Sequence, residues 1–173
     1  MKTSELKKYI RDIPDFPKKG IIFKDITTLL RNAKAFKKSI NAMAQTFKKS
    51  KIEYVVGVEA RGFIFASALA YKLGAGFVPV RKKGKLPYKT KSVTYQLEYG
   101  TDTLEMHEDA VGVNARVLVV DDLLATGGTV RAVVDMLKSQ KAKIVGVAFL
   151  VELKFLKGKE KLKDLPIDSI IQY

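Results

Sequence analysis

The sequence has no cysteine, no tryptophan and one histidine, His107. Lacking cysteine, it forms no disulfide, zinc–thiolate site or cysteine nucleophile. A Ser-His-Asp triad would have to use His107, and no nucleophile elbow accompanies it, so His107 is read as structural. No apolar run approaches the roughly 20 residues that a membrane helix needs. No apolar stretch of signal-peptide type follows the lysine-containing start. No membrane association is expected, and a cytoplasmic location is. Neither Gly-x-x-x-x-Gly-Lys-Ser/Thr nor Gly-x-Gly-x-x-Gly occurs, which argues against a P-loop nucleotidase and a Rossmann dehydrogenase.

Acidic residues are also scarce, 18 against 32 Lys and Arg, so the formal charge is +14. Lys37, Lys38, Lys48, Lys49 and Lys51 lie around one helical stretch; Lys154, Lys157, Lys159, Lys161 and Lys163 lie near the end. Such a balance is compatible with nucleic acid, with polyphosphate or with a solvated lysine surface. No aromatic-plus-basic stacking pattern or helix-turn-helix supports the first, and the solvated surface is the reading adopted. With 173 residues, 47% of them hydrophobic, the chain is long and apolar enough for one domain with a sizeable core. No repeat, low-complexity tract or linker divides it.

Along the chain, Thr3 to Ile10 reads as a short helix, and Ile13 to Gly20, with Pro14 and Pro17, as an irregular connector. Ile21 to Phe23 is a short extended piece. Phe36, Ile40, Met43 and Phe47 mark an amphipathic helix. Tyr54 to Val58 is a buried strand, Phe63 to Leu73 a helix, and Gly76 to Val80 a strand. Ser92 to Glu98 and Thr103 to Met106 form a hairpin-like excursion around Tyr99-Gly100. Asn114 stands where left-handed geometry is needed. Ile144 to Val151 is a further buried strand, and Ser169 to Gln172 an edge strand. Strands alternating with helices predict an α/β fold with a mostly parallel twisted sheet and helices on both faces.

The most informative stretch is Val117 to Thr129. Val117-Leu118-Val119-Val120 does not alternate and reads as a strand buried on both faces. Asp121 and Asp122 follow at its carboxyl end. Ala125-Thr126-Gly127-Gly128-Thr129 then forms a loop of small and hydroxyl residues leading into a helix near Gly128. Glycines allow close backbone approach, and the helix start offers unpaired N–H groups, so the loop suits a phosphate monoester. The two carboxylates would repel phosphate; they face ribose hydroxyls or a sugar-bound cation. Glu59-Ala60-Arg61-Gly62 sits at another strand-to-helix junction, where Arg61 offers a planar multi-donor charge for a second phosphate group. Arg81-Lys82-Lys83-Gly84-Lys85 places four cations in five residues directly after a strand.

Val119-Val120-Asp121-Asp122 with Ala125-Thr126-Gly127-Gly128-Thr129 resembles the donor-binding motif of type I phosphoribosyltransferases, and Asp-Asp-Leu-Leu-Ala-Thr-Gly-Gly-Thr resembles its adenine branch. The resemblance runs from about Ile10 to Tyr173. It implies transfer of a 5-phosphoribosyl group from 5-phosphoribosyl-1-pyrophosphate to adenine, giving AMP and pyrophosphate, with Mg²⁺ held mainly by the substrate. It also implies a homodimer without a nucleic-acid partner, and a single domain over 1–173 with an N-terminal hood (about 1–34) and a mobile hairpin (about 82–106).

The resemblance further gives the residues their parts. Residues 125–129 would bind the 5-phosphate, and Glu59, Ala60, Arg61, Gly62, Arg81, Lys82 and Lys85 the pyrophosphate. Asp121, Asp122 and Arg61 would serve the reaction, Glu98 would shuttle the purine proton, and Tyr99 would close over the site. Ile22, Phe23, Lys24, Ala125 and Leu153 would hold the base. Lys19 and Lys24 depart from the family pattern, where proline and arginine are common. Another purine base, or a donor-sensing regulator that binds nucleic acid, is the alternative.

Overall fold

Two valine-rich runs make the centre of the molecule because their side chains are apolar on both sides of the backbone. A computed structural model describes residues 3–96 and 100–173; Leu97, Glu98 and Tyr99 lie outside the described residues. The chain begins with a 3₁₀ helix, Thr3–Tyr9, then β1 (Arg11–Ile13), β2 (Phe23–Asp25) and a single helical turn, α1 (Thr27–Leu30). Then come α2 (Ala33–Phe47), β3 (Tyr54–Val58), α3 (Gly62–Leu73) and β4 (Gly76–Lys82). The hairpin β5 (Thr90–Gln96) and β6 (Thr101–His107) leads to β7 (Arg116–Leu124), α4 (Gly128–Ser139) and β8 (Lys143–Glu152). Two 3₁₀ turns, Lys154–Leu156 and Gly158–Leu162, precede β9 (Ile167–Gln172).

Among the described residues, seven strands form one sheet in the order β5-β6-β4-β3-β7-β8-β9. The five strands from β4 to β9 run parallel, and β6 and β5 are added antiparallel. Val55, Leu118, Val120, Ala148 and Leu150 face a core shared with Met43 and Phe47 of α2 and with Phe65 and Leu69 of α3. Their neighbours Val56, Val58, Val117, Val119, Val147 and Phe149 face α4 through Val130, Val133, Val134 and Leu137. Helices thus cover both faces, as the uninterrupted apolar strands require. Each such side chain contributes about 1.5–3 kcal/mol by leaving water.

Local chemistry accounts for the ends. The Asn32 side chain accepts from the Ala35 amide, 3.0 Å away, and caps α2. Asn114 is left-handed at φ 62°, as its position before the central strand predicts.

Three boundaries differ from the sequence reading. The first helix is 3₁₀. Arg11–Ile13 is a strand that pairs antiparallel with β2, Arg11 opposite Asp25; isolated three-residue strands carry no periodicity. Strand β7 continues through both aspartates to Leu124 because β8 pairs with it that far, Leu124 opposite Glu152.

Candidate active site

Strands β3 and β7 are neighbours, with Gly57 opposite Val120. From β3 the chain crosses through α3 to β4 on one side; from β7 it crosses through α4 to β8 on the other. The sheet order therefore reverses between them, and the crevice at their carboxyl ends is where open α/β sheets bind ligands. A cleft of about 240 Å³ opens there, lined among others by Glu59, Arg61, Lys82, Asp102, Asp121, Asp122 and Thr129. A smaller hollow of about 60 Å³, sharing Asp121 and Thr129 with it, is bounded by residues 123–130. Two larger grooves lie along α2, lined by Asn41 and Gln45, away from the carboxyl ends of β3 and β7.

The hollow is a backbone nest. Gly127, left-handed at φ 77°, takes the cap position of α4, and no side chain caps the helix. The first-turn amides of α4 are therefore directed at whatever occupies the loop. A Cβ at Gly127 would lie 2.5 Å from the carbonyl oxygen of Gly158, so the second 3₁₀ turn crosses directly over the loop. That crossing carries Lys161 to within 3.9 Å of where a Gly128 Cβ would stand. From the other side, the Thr129 hydroxyl donates to Tyr95 Oη at 3.2 Å, tying the β5–β6 hairpin to the nest.

Beside the nest stand the acids. The Asp122 amide donates to Asp121 Oδ1 at 2.9 Å. Arg61 Nε lies 2.9 Å from Asp122 Oδ2, but that buried oxygen receives no well-aligned hydrogen bond among the described residues. Desolvation raises both carboxyls. Asp121 is lifted well above the ordinary range because its charged neighbour adds to the burial. For Asp122 the Arg61 guanidinium partly offsets the burial, and the net shift is still upward. The pair is poised to accept hydroxyl donors or a metal-bound water.

Glu59 organises the cations. Its carboxylate accepts from the Lys82 amide at 2.9 Å, Arg81 Nε at 3.3 Å and Lys85 Nζ. Burial pushes this carboxyl up, but the Lys85 and Lys82 hydrogen bonds outweigh it and hold it below the usual range. Arg81 also donates to the Lys85 carbonyl at 3.0 Å, and Lys82 Nζ lies 3.3 Å from Asp102. The Glu59–Ala60 peptide is cis. Ala60 is exposed and Gly62 is buried at the start of α3.

On the hood side, the Phe23 ring lies 5.0 Å from the Arg61 guanidinium carbon, and Phe16 meets Phe23 edge-on at 5.1 Å. Ile22 is exposed. Strand alternation turns Lys24 to the opposite face, where its ammonium lies 2.7 Å from Asp12 and 3.9 Å from the centre of the Tyr173 ring. Only the backbone of Lys24 is thus left on the Phe23 side. Leu153 is buried, its amide bonded to the Leu124 carbonyl at 2.9 Å, one residue before half-buried Ala125.

A family model described as the phosphoribosyl transferase domain matches residues 25–171. A protein of Brachyspira hyodysenteriae named adenine phosphoribosyltransferase is 58% identical over 98% of this chain and 99% of its own. Its counterpart from Syntrophotalea carbinolica is 61% identical over 96% and 95%. The chain belongs to the adenine phosphoribosyltransferase family. The solved adenine phosphoribosyltransferase of Thermoanaerobacter pseudethanolicus superposes with a TM-score of 0.96 at 52% identity, covering 99% of this chain and all of that one. The Saccharomyces cerevisiae adenine phosphoribosyltransferase, solved with an imino-altritol bisphosphate and adenine, gives 0.90 at 41% identity and 96% coverage of both.

In this adenine phosphoribosyltransferase the crevice brings together Glu59, Ala60, Arg61, Lys82, Asp121, Asp122 and residues 125–129, with Arg81 and Lys85 joined to it through Glu59. The Lys24 side chain is turned away, and Glu98 and Tyr99 lie outside the described residues. Sequence reasoning missed Asp102, Tyr95, Lys161 and Tyr173. Tyr95 and Asp102 face each other in the hairpin already expected to be mobile, whereas Lys161 comes to the nest only through long-range packing and Tyr173 stays outside the crevice, on Lys24. Mg²⁺ takes oxygen ligands and usually keeps waters while leaning on one or two carboxylates and substrate phosphates. Among the described residues no cluster of three or more acidic or histidine side chains is suited to a metal. The donor set of Asp121 and Asp122, with the undonated Oδ2, fits a metal carried on the substrate.

Proposed function

We propose that the chain transfers the 5-phosphoribosyl group of 5-phosphoribosyl-1-pyrophosphate to adenine, releasing pyrophosphate and AMP. The observation that carries this reading is the meeting of three features at one crevice: an uncapped backbone nest, a desolvated acid pair of which Asp122 is buried, and a cationic loop tethered to Glu59. They match the three parts of the donor, a monoester phosphate, a ribose diol and a pyrophosphate.

In this mechanism the Ala125–Thr129 amides and hydroxyls hold the 5-phosphate. Asp121 and Asp122 accept from the ribose hydroxyls, which fixes the sugar and stabilises the positive charge that develops at its C1. Arg61, Arg81, Lys82 and Lys85 exchange Glu59, Asp102 and Asp122 as partners for the oxygens of pyrophosphate as its bond to C1 breaks. Glu59, Ala60 and Gly62 supply the shape of that loop. Bound Mg²⁺ would neutralise pyrophosphate charge, and Asp121 and Asp122 are the residues that would help hold it. Phe23 and Ile22 cover one side of adenine, Ala125 and Leu153 the other, and the backbone at Lys24 reads its edge. The adenine nitrogen attacks C1, and Glu98 accepts the proton it sheds. Closure of the 82–106 hairpin, with Tyr99 over the site, excludes water from the ribosyl centre. A homodimer in the cytoplasm completes the reading.

The test is formation of the corresponding nucleoside monophosphate, with pyrophosphate release, from each purine base with donor and Mg²⁺, in wild type and in Asp122→Asn, Arg61→Ala and Glu98→Gln. Turnover confined to adenine and lost in the first two variants is expected. Turnover with oxopurines instead would move the substrate, and no turnover with any base would overturn the enzyme reading.

A further inference from the structure

Tyr173 stands outside the crevice, yet it touches both walls of the pocket assigned above to adenine. Its backbone brackets Leu153: the Tyr173 amide donates to the Glu152 carbonyl at 2.9 Å, and the Lys154 amide donates to the Tyr173 carbonyl at 2.9 Å. Its ring meanwhile receives the Lys24 ammonium at 3.9 Å and the Lys7 ammonium at 4.0 Å. Lys7 is also tied to the neighbouring Gln172 carbonyl at 3.2 Å.

The Lys24 side chain is only 9% exposed, and its ammonium has Asp12 and this ring in place of water. A charge so far desolvated depends on its partners and will not wander. Lys24 follows Phe23 in β2, so a restraint on the Lys24 head is a restraint on the ring presented from the other face of the same strand. The strand is short and its ladder is with β1. Ile26 and Leu29 anchor the chain just after it in the core, so the Lys24–Tyr173 contact acts on the Phe23–Lys24 end.

We propose that Tyr173 is a positioning residue for the base: by holding Leu153 through its backbone and Lys24 through its ring, it sets the spacing between the two walls of the adenine pocket. This rests on the function proposed above. It assigns base affinity, as distinct from donor affinity, to a residue that contacts neither substrate. It also gives Lys24 a role through its ammonium, directed away from the base.

The test is steady-state kinetics of AMP formation with each substrate varied in turn, for Tyr173→Leu, Tyr173→Phe, Lys24→Met and the Tyr173→Leu/Lys24→Met pair. Tyr173→Leu should raise KM for adenine by about 3- to 30-fold, the span of a partly to fully desolvated cation–π contact. The rise in adenine KM should exceed any change in donor KM or kcat, which Tyr173 reaches only indirectly, through the contact of Phe23 with Arg61 at 5.0 Å. Tyr173→Phe keeps the ring and should behave as wild type. Lys24→Met should match Tyr173→Leu, and the pair should be no worse than either alone. An unchanged adenine KM in Tyr173→Leu, an equal rise for both substrates, or a phenylalanine variant as impaired as the leucine one would overturn the proposal. If thermal melting shows Tyr173→Leu to be unfolded, Lys24→Met decides by the same split. Calorimetric titration with adenine separates this idea from the one beneath it. Absent turnover in wild type sinks the proposed function, whereas weaker adenine binding in Tyr173→Leu still supports the positioning role.

Discussion

Gly62 and Asp121 come from a helix and a strand and stand so close that a methyl group on Gly62 would lie 2.6 Å from Asp121 Oδ1 and 3.2 Å from its Cα. The glycine opens α3 and the aspartate lies at the far end of β7, so helix and strand meet without a side chain between them. Gly62→Ala would be accommodated most cheaply by turning the carboxylate away. Turnover should fall by roughly tenfold or more, while the melting temperature changes little, because overpacking of about 1–3 kcal/mol is partly offset by better helix propensity. Parallel assays of kcat and thermal unfolding check this; equal losses in both would contradict it.

The acid pair carries a stability cost with a definite pH dependence. Asp121 ionises in the folded chain only above its ordinary range, so between about pH 4, its unfolded value, and the raised folded value the native state binds more protons than the unfolded one. Stability from this group is thus full at low pH and declines as pH rises through that window. Asp121→Asn keeps the oxygen that accepts from the Asp122 amide and removes the buried charge. The variant should lose activity yet melt higher than wild type at neutral pH. Melts at a series of pH values should show that advantage shrinking towards pH 4.

Arg61 joins two parts of the site, lying 2.9 Å from Asp122 and over the ring of Phe23. Lysine would keep the charge and lose both the planar fork and the stacked face. Arg61→Lys should therefore lower kcat by up to about a hundredfold, the lower end of what outright loss of one electrostatic donor costs, since the charge is kept. It should also weaken adenine, through Phe23. Kinetics with each substrate varied separately would show whether both effects occur.

Acid should loosen the hood before the sheet. Asp25 is held down to about 2, first by the Thr27 amide and then by Arg11, which donates to it at 2.6 and 3.0 Å. A depressed carboxyl contributes its stability above the unfolded value near 4 and loses it as pH falls towards 2. Wild type should exceed Asp25→Asn in stability at pH 7, and the two should converge as pH drops from about 4 to 2. Acid titrations followed by circular dichroism would reveal the convergence.

Whatever repeats along the chain was readable from the sequence; whatever depends on a distant partner was not. Val117 to Val120 declared a doubly buried strand, and Gly127-Gly128 declared the nest, because both signals are local. The end of β7 was placed too early because its length is decided by β8, twenty-odd residues on. The family resemblance puts Lys24 at the base, whereas its ammonium is drawn to Asp12 and to Tyr173 at the far end of the chain. Lys161 looked like one of many solvated lysines, and only the crossing of Gly158 over the phosphate nest distinguishes it.

That β7 runs unbroken from Val117 to Asp122 has a consequence for timing. The acid pair is an extension of the central strand, so exposing it to exchange requires opening the sheet itself, the costliest event available to the molecule. Phe23 belongs to a two-stranded piece of three residue pairs, which opens at far lower cost. One end of the crevice therefore moves on the slow clock of global unfolding and the other on the fast clock of local breathing. Under the proposed function, adenine is expected to exchange at the fast end and the ribose phosphate to exchange at the slow one.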